Sequence, residues 1–205
     1  MILQDRFLEL CLLFTNNQAL IQSLWKEIEK KHSEKGRYYH NLSHLENMFQ
    51  ELERVKSNIS DFSAVSFSVF YHDFIYEATS KSNEEKSAAA AGKRLKEIGL
   101  PYDTILTISK QVLATKSHQR SEDEDTNYLL DADLSILGKD IEAYLAYTNM
   151  IRKEYSIYPD FLYKPGRKKV LQHFLELESI FKTEYFKDRY EIQAKNNIAA
   201  EIQLL

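Results

Sequence analysis

The chain has 205 residues and a formal net charge of −4, with 27 Lys and Arg against 31 Asp and Glu. That length suits one ordinary domain with a real core, and a slightly acidic balance lacks the electrostatic footprint of a protein that binds nucleic-acid duplexes. Five glycines and three prolines argue for long helices over many short strands, and the single Cys11 excludes an intrachain disulfide framework or a zinc site of several thiolates.

At the N-terminus, residues 1–14 are apolar, but Asp5, Arg6 and Glu9 interrupt them and no small-residue cleavage site follows. Asn17 opens an amphipathic helix marked by Leu20, Ile21, Leu24, Trp25 and Ile28, and His32, set among Lys30, Lys31 and Glu34, reads as solvated. Leu42, Leu45, Met48, Phe49 and Leu52 mark the next helix, with Ser43 and Glu46 at the spacing of a capping box. Asp61 caps an apolar helix from Phe62 to about Glu77. This is the most apolar stretch, yet it is shorter than the ~20 residues of a membrane span. Ser82 and Glu85 repeat the capping-box spacing and open a helix that stops at Gly99. Helix continues from Tyr102 to about Lys116, then from Asp125 to Leu137 and from Ile141 to Tyr155. Pro165 and Gly166 introduce the last helical region, with a candidate break near Thr183. The expectation is an all-α chain of eight or nine helices, one domain over residues 1–205, cytoplasmic and without a membrane partner.

Three segments carry candidate chemistry. His72-Asp73 interrupts a helix that is apolar on nearly all sides, where an imidazole and a carboxylate are costly unless they pair, hydrogen-bond or bind a metal. His40 and His44 stand at i, i+4 and share a helical face if the helix has begun by His40. In Leu130-Asp-Ala-Asp-Leu, the helical neighbours of Asp133 are Leu129, Leu130, Ile136 and Leu137, whereas those of Asp131 are more polar. Asp133 is therefore expected to point inward and Asp131 toward the surface. A satisfied core pair, a polar helix face and a buried ion pair are the alternatives for the three segments in turn. Two imidazoles and two carboxylates suit a six-coordinate divalent ion, which activates water and polarises a phosphoryl oxygen.

The order His44, His72-Asp73, Asp133 on a helical chain resembles the HD superfamily of metal-dependent phosphohydrolases. Arg37-Tyr-Tyr-His-Asn-Leu-Ser-His, Phe70-Tyr-His-Asp, Asn83-Glu-Glu-Lys-Ser-Ala and Leu130-Asp-Ala-Asp-Leu-Ser-Ile-Leu-Gly are similar to a bacterial group within it, and Ile151-Arg-Lys-Glu-Tyr and Pro165-Gly-Arg also fit. The resemblance implies an HD-like bundle that holds one divalent ion (Mn, Mg, Fe, Co or Ni) on His44, His72, Asp73 and Asp133, with Asp73 also catalytic. It implies a small phosphorylated substrate, a nucleotide among the candidates. The Tyr-His-Asn-x-x-His segment also resembles cyclic nucleotide phosphodiesterases, which implies His40 as general acid, with a ligand role open as well. His118 is a candidate substrate or second-metal contact, and Glu84 and Glu85 are candidate bridges to a second ion. Arg37 is the leading phosphate contact, ahead of Lys116, Arg152, Arg167 and the lysines around Arg167. Cys11 and His173 read as structural. Rival readings are a non-hydrolytic HD-fold protein that binds a nucleotide or metal and, on the same framework, a di-iron oxygenase.

Overall fold

The computed structural model describes residues 2–205. Among them the chain forms ten α-helices and two 3-10 turns: α1 (Leu3–Leu12), α2 (Gln18–His32), α3 (Leu42–Arg54), a turn at Lys56–Asn58, α4 (Phe62–Tyr71), α5 (Asn83–Glu97), α6 (Tyr102–Ala114), α7 (Glu124–Leu134), a turn at Ser135–Gly138, α8 (Ile141–Glu154), α9 (Asp160–Glu176) and α10 (Glu184–Leu204). The count exceeds the expected eight or nine because the interrupted N-terminal stretch folds as α1 and the last region divides. No strand occurs among the described residues, and no helix there is long and apolar enough to cross a membrane.

The core is built around α4, whose residues Ala64–Tyr71 are all buried. A helix apolar on every side has no face to offer water, so neighbours must surround it. Here α3, α5, α6 and α7 all pack against it. Phe70 meets Phe7 of α1, Trp25 of α2 and Phe49 of α3 at ring-centroid distances of 5.0, 6.4 and 5.1 Å. Cys11 is buried in the same cluster, and burial pushes its thiol up to about 12, so it packs as a small core residue.

Side-chain caps act at half of the α-helix N-termini, those of α2, α3, α4, α7 and α8. The side chains of Asn17 and Asp61 accept N–H bonds from Leu20 and Ala64, satisfying first-turn donors. Gly99 adopts φ +83°, a conformation open to glycine at little cost, and ends α5. Gly138 is required for a different reason: a Cβ there would sit 2.5–2.9 Å from the Cβ, O and Cα of Tyr190, so α10 packs directly on the backbone of the second 3-10 turn.

Several expectations are corrected. Asn41, not Ser43, caps α3, and Ser82 makes no side-chain cap to α5. The run expected at 125–137 is helical only to Leu134 before tightening into the 3-10 turn. Pro165 and Gly166 lie inside α9, which Pro159 precedes. The helix expected to reach Glu77 ends at Tyr71. Beyond it the Arg37 guanidinium donates to the carbonyls of Asp73 (2.6 Å) and Phe74 (3.0 Å), and the Ser87 hydroxyl takes both backbone groups of Ile75. Backbone groups held by side chains have no need of the helical ladder. His32 is buried, not solvated: it continues the face of Ile21, Trp25 and Ile28, with Nδ1 3.0 Å from the Ile28 carbonyl. Burial holds its imidazole down at about 3, so it is neutral.

Candidate metal centre

Three elements deliver the expected donors to one place. The start of α3 carries His44, the end of α4 places His72 with Asp73 directly after it, and the last turn of α7 carries Asp133. His44 and His72 are 3% and 1% exposed, so neither imidazole is placed for bulk water. One donor atom from each of His44, His72 and Asp133 lies within 4.8 Å of the others, a group that can hold a metal ion. In detail, His44 Nε2 stands 3.2 Å from His72 Nε2 and 3.1 Å from Asp133 Oδ1. Asp73 Oδ2 is 3.0 Å from His72 Nε2 and 3.9 Å from His44 Nε2. Ligands about 2.1 Å from an ion and at right angles to each other lie about 3.0 Å apart, so the donor set matches divalent coordination.

The surroundings prepare these groups. His72 Nδ1 lies 2.9 Å from the Val69 carbonyl; donation there fixes the tautomer and leaves the Nε2 lone pair for a cation. Burial opposes a charge on His72, yet Asp73 and Asp133 outweigh it and raise the imidazole to about 9. Burial likewise opposes ionisation of Asp73 and Asp133, but the histidines hold both carboxylates well below the usual range. His44, by contrast, is lowered by burial. The cluster thus favours one positive charge at its centre, which a proton or a cation can supply.

Of the two aspartates of α7, Asp133 turns inward to the donor cluster as expected, whereas Asp131 is corrected. Asp131 is fully buried and accepts from the backbone N–H groups of Lys182 and Thr183 and from the Thr183 hydroxyl. Asp133 is partly exposed on the wall of a cavity. Spacing on α7 records only that helix's own stripe. The segment before α10 that covers Asp131, and the cavity that leaves Asp133 open, come from 50 residues later and from other helices.

His40 precedes α3 instead of sharing its helical face, but its ring still lies 6.0 Å from that of His44. Its partner is Glu154, a residue to which sequence reasoning gave no role although its segment had been noted. Glu154 Oε1 accepts the N–H groups of Tyr38, Tyr39 and His40 at 2.7–3.0 Å. Glu154 Oε2 lies 2.6 Å from His40 Nδ1 and accepts from the Tyr76 hydroxyl at 2.9 Å. Tyr76 stacks on the His40 ring with centroids 4.1 Å apart. Burial lowers the His40 imidazole, but Asp73 and Glu154 together outweigh that and raise it above the ordinary value.

No family model, curated protein or solved structure matches this chain. The site is therefore read from its own geometry.

His118 Nε2 is 2.8 Å from Asp133 Oδ2, and the residue adopts φ +49°, sparsely populated by non-glycine residues. Arg37 is a correction. It is buried, donates to the carbonyls of His40, Asp73 and Phe74, and does not line the cavity, so it clamps the loops beside the centre instead of presenting a free guanidinium. Arg152 is likewise spent, on Asp160 and on the carbonyls of Tyr155 and Tyr158. Glu85 pairs with Lys116, while Glu84 faces the cavity.

That cavity measures about 860 Å³ and opens directly over the centre, with His40, His72, Asp73, His118 and Asp133 on its wall. Tyr39, Tyr76, Tyr147, Tyr155, Tyr158 and Tyr163 form much of the remainder, and Lys116, Arg167 and Lys169 add positive charge. Arg167 is held by Glu201, with contacts of 2.8 and 3.0 Å.

Proposed function

We propose that this chain is a metal-dependent phosphohydrolase of the HD superfamily, acting on a small phosphate ester with an organic body. The observation that carries the proposal is the meeting of His44, His72, Asp73 and Asp133, the last three on the wall of an open cavity with His44 buried directly behind them. These four residues would hold one divalent ion, of the Mn, Mg, Fe, Co or Ni type. When bound, such an ion lowers the pKa of water and polarises a phosphoryl oxygen. Asp73, kept ionised and partly exposed, would orient the attacking water by accepting a hydrogen bond from it, the water's proton passing to solvent. Water oxygen then bonds to phosphorus as the ester P–O bond breaks. His40, oriented by Glu154 and favoured in its protonated form, donates the proton that the departing oxygen needs. Lys169 supplies a cation for the phosphate, Lys116 and Arg167 being paired with Glu85 and Glu201, and the tyrosines supply apolar faces with hydroxyl groups for the organic part. The cavity volume falls within the ordinary range for small-molecule sites.

The test is metal analysis of protein purified without a histidine tag, beside phosphate release from a nucleotide panel with added Mn, Mg or Co. The wild type is expected to carry about one equivalent of divalent ion and to release phosphate. His72→Ala and Asp133→Ala are expected to lose both while keeping helical circular dichroism. A wild type that takes up no metal, with both variants merely less stable, overturns the reading. Metal uptake without hydrolysis of any compound points instead to a binding protein.

A further inference from the structure

A second cavity of about 430 Å³ lies on the other side of His118, which lines both. Its charged lining is Arg120, Lys182 and Lys187 against one carboxylate, Glu178, with Lys187 also paired to Glu184 at 3.1 Å outside the lining. Lys182 is the unusual member. It is 4% exposed, and its ammonium donates to the Ile180 carbonyl without forming an ion pair among the described residues. A buried lysine in this state costs free energy that an anion would recover. Arg120 is anchored by donating to the Lys182 carbonyl at 2.6 Å, and it leaves most of its fork of donors free, with the nearest carboxylate, Glu124, 3.8 Å away.

We infer that this cavity is an anion subsite, which takes a second phosphate- or carboxylate-type group of the same molecule whose phosphate ester sits at the metal centre. The proposal rests on the phosphohydrolase reading for the first group and on Lys182, Arg120 and Lys187 for the second. His118 forms the shared wall, and its left-handed backbone turns the ring toward Asp133 while its chain neighbours reach the second cavity. Substrates with a single charged group would leave Lys182 unanswered.

The experiment starts with metal-free protein in a chelator at low salt, titrated with inorganic phosphate and followed by phosphorus NMR line width. Wild type and His72→Ala are expected to bind phosphate alike, since the metal centre takes no part. Lys182→Gln is expected to weaken binding about tenfold or more. Arg120→Gln with Lys187→Gln, both outside the core, is expected to weaken it several-fold with an unchanged circular dichroism spectrum, which covers the case of a Lys182 variant that does not fold. No binding to the wild type, or unchanged binding to the surface double variant, overturns the subsite. With Mn added, a nucleoside bisphosphate is expected to bind the wild type at least tenfold more tightly than the monophosphate, and the double variant to lose that preference. Equal binding of the two compounds by the wild type would reduce the cavity to a site for free anions and overturn the single-ligand part. Failure of the phosphohydrolase reading would appear instead as absent metal, with metal-free phosphate binding intact.

Discussion

The two walls of the main cavity are built differently. The donor wall comes from α3, α4 and α7, where eight of the ten residues of α4 and nine of the eleven of α7 are buried. The opposite wall is α9, seventeen residues long with only Tyr163 and Leu171 buried, and Phe161, Leu162 and Val170 exposed. A metal site would tolerate little displacement, and the candidate ligands are carried by closely packed elements. A wall that receives the organic part of a ligand can be assembled from exposed aromatic and aliphatic side chains on a lightly packed helix. Stability and site geometry should therefore be coupled on one side and separable on the other.

The strongest way to break that contrast is Asp131→Ala. It strips the acceptor from two buried backbone N–H groups and a hydroxyl, so we expect a loss of about 2–4 kcal/mol in urea unfolding, with weaker metal binding as the turn carrying Asp133 loosens. Less than 1 kcal/mol would mean that the donor wall does not depend on this tie. Next is Arg37→Lys, which keeps the charge but loses the planar fork that serves three carbonyls. We expect about 1–3 kcal/mol of destabilisation; a rise in KM with unchanged unfolding would instead restore Arg37 as a phosphate contact.

Glu154→Gln sharpens the role of the α8 residue that ties down His40 beside the donor wall. Because the Glu154 carboxylate is among the groups that raise the His40 imidazole, its removal should move the His40 titration to lower pH by NMR. A general acid works in its protonated form, so the alkaline limb of kcat/KM should move down in pH by the same amount. An unmoved titration would separate His40 from Glu154. The smallest effect is expected on the opposite wall: Leu162→Ser, at a side chain 54% exposed that lines the cavity, should change stability by about 0.5 kcal/mol or less while altering KM for ligands with apolar bodies.

Much of this was legible along the chain. The apolar run that becomes α4, the caps Asn17 and Asp61, the stop at Gly99 and the four donors are all local patterns, set by helical period, by side chains that satisfy first-turn amides and by the expense of burying polar groups. The misreadings have a common source. His32 looked solvated from its lysine neighbours although it sat in register with Ile28, and Arg37 looked free because the carbonyls it serves lie 36 and 37 residues away. Glu154 stands 114 residues from His40, and nothing in either segment announces the other.

The sequence by itself determined an all-helical chain, its central helix and the residue types able to ligate a cation, because those follow from spacing and composition. Only the tertiary structure decided that Asp131 is buried under the segment before α10, where α4 stops, what orients His40 and that a second, cation-lined cavity adjoins the first. Burial and hydrogen-bond partners for those groups come from segments distant in the chain, and local spacing does not specify which distant segments meet.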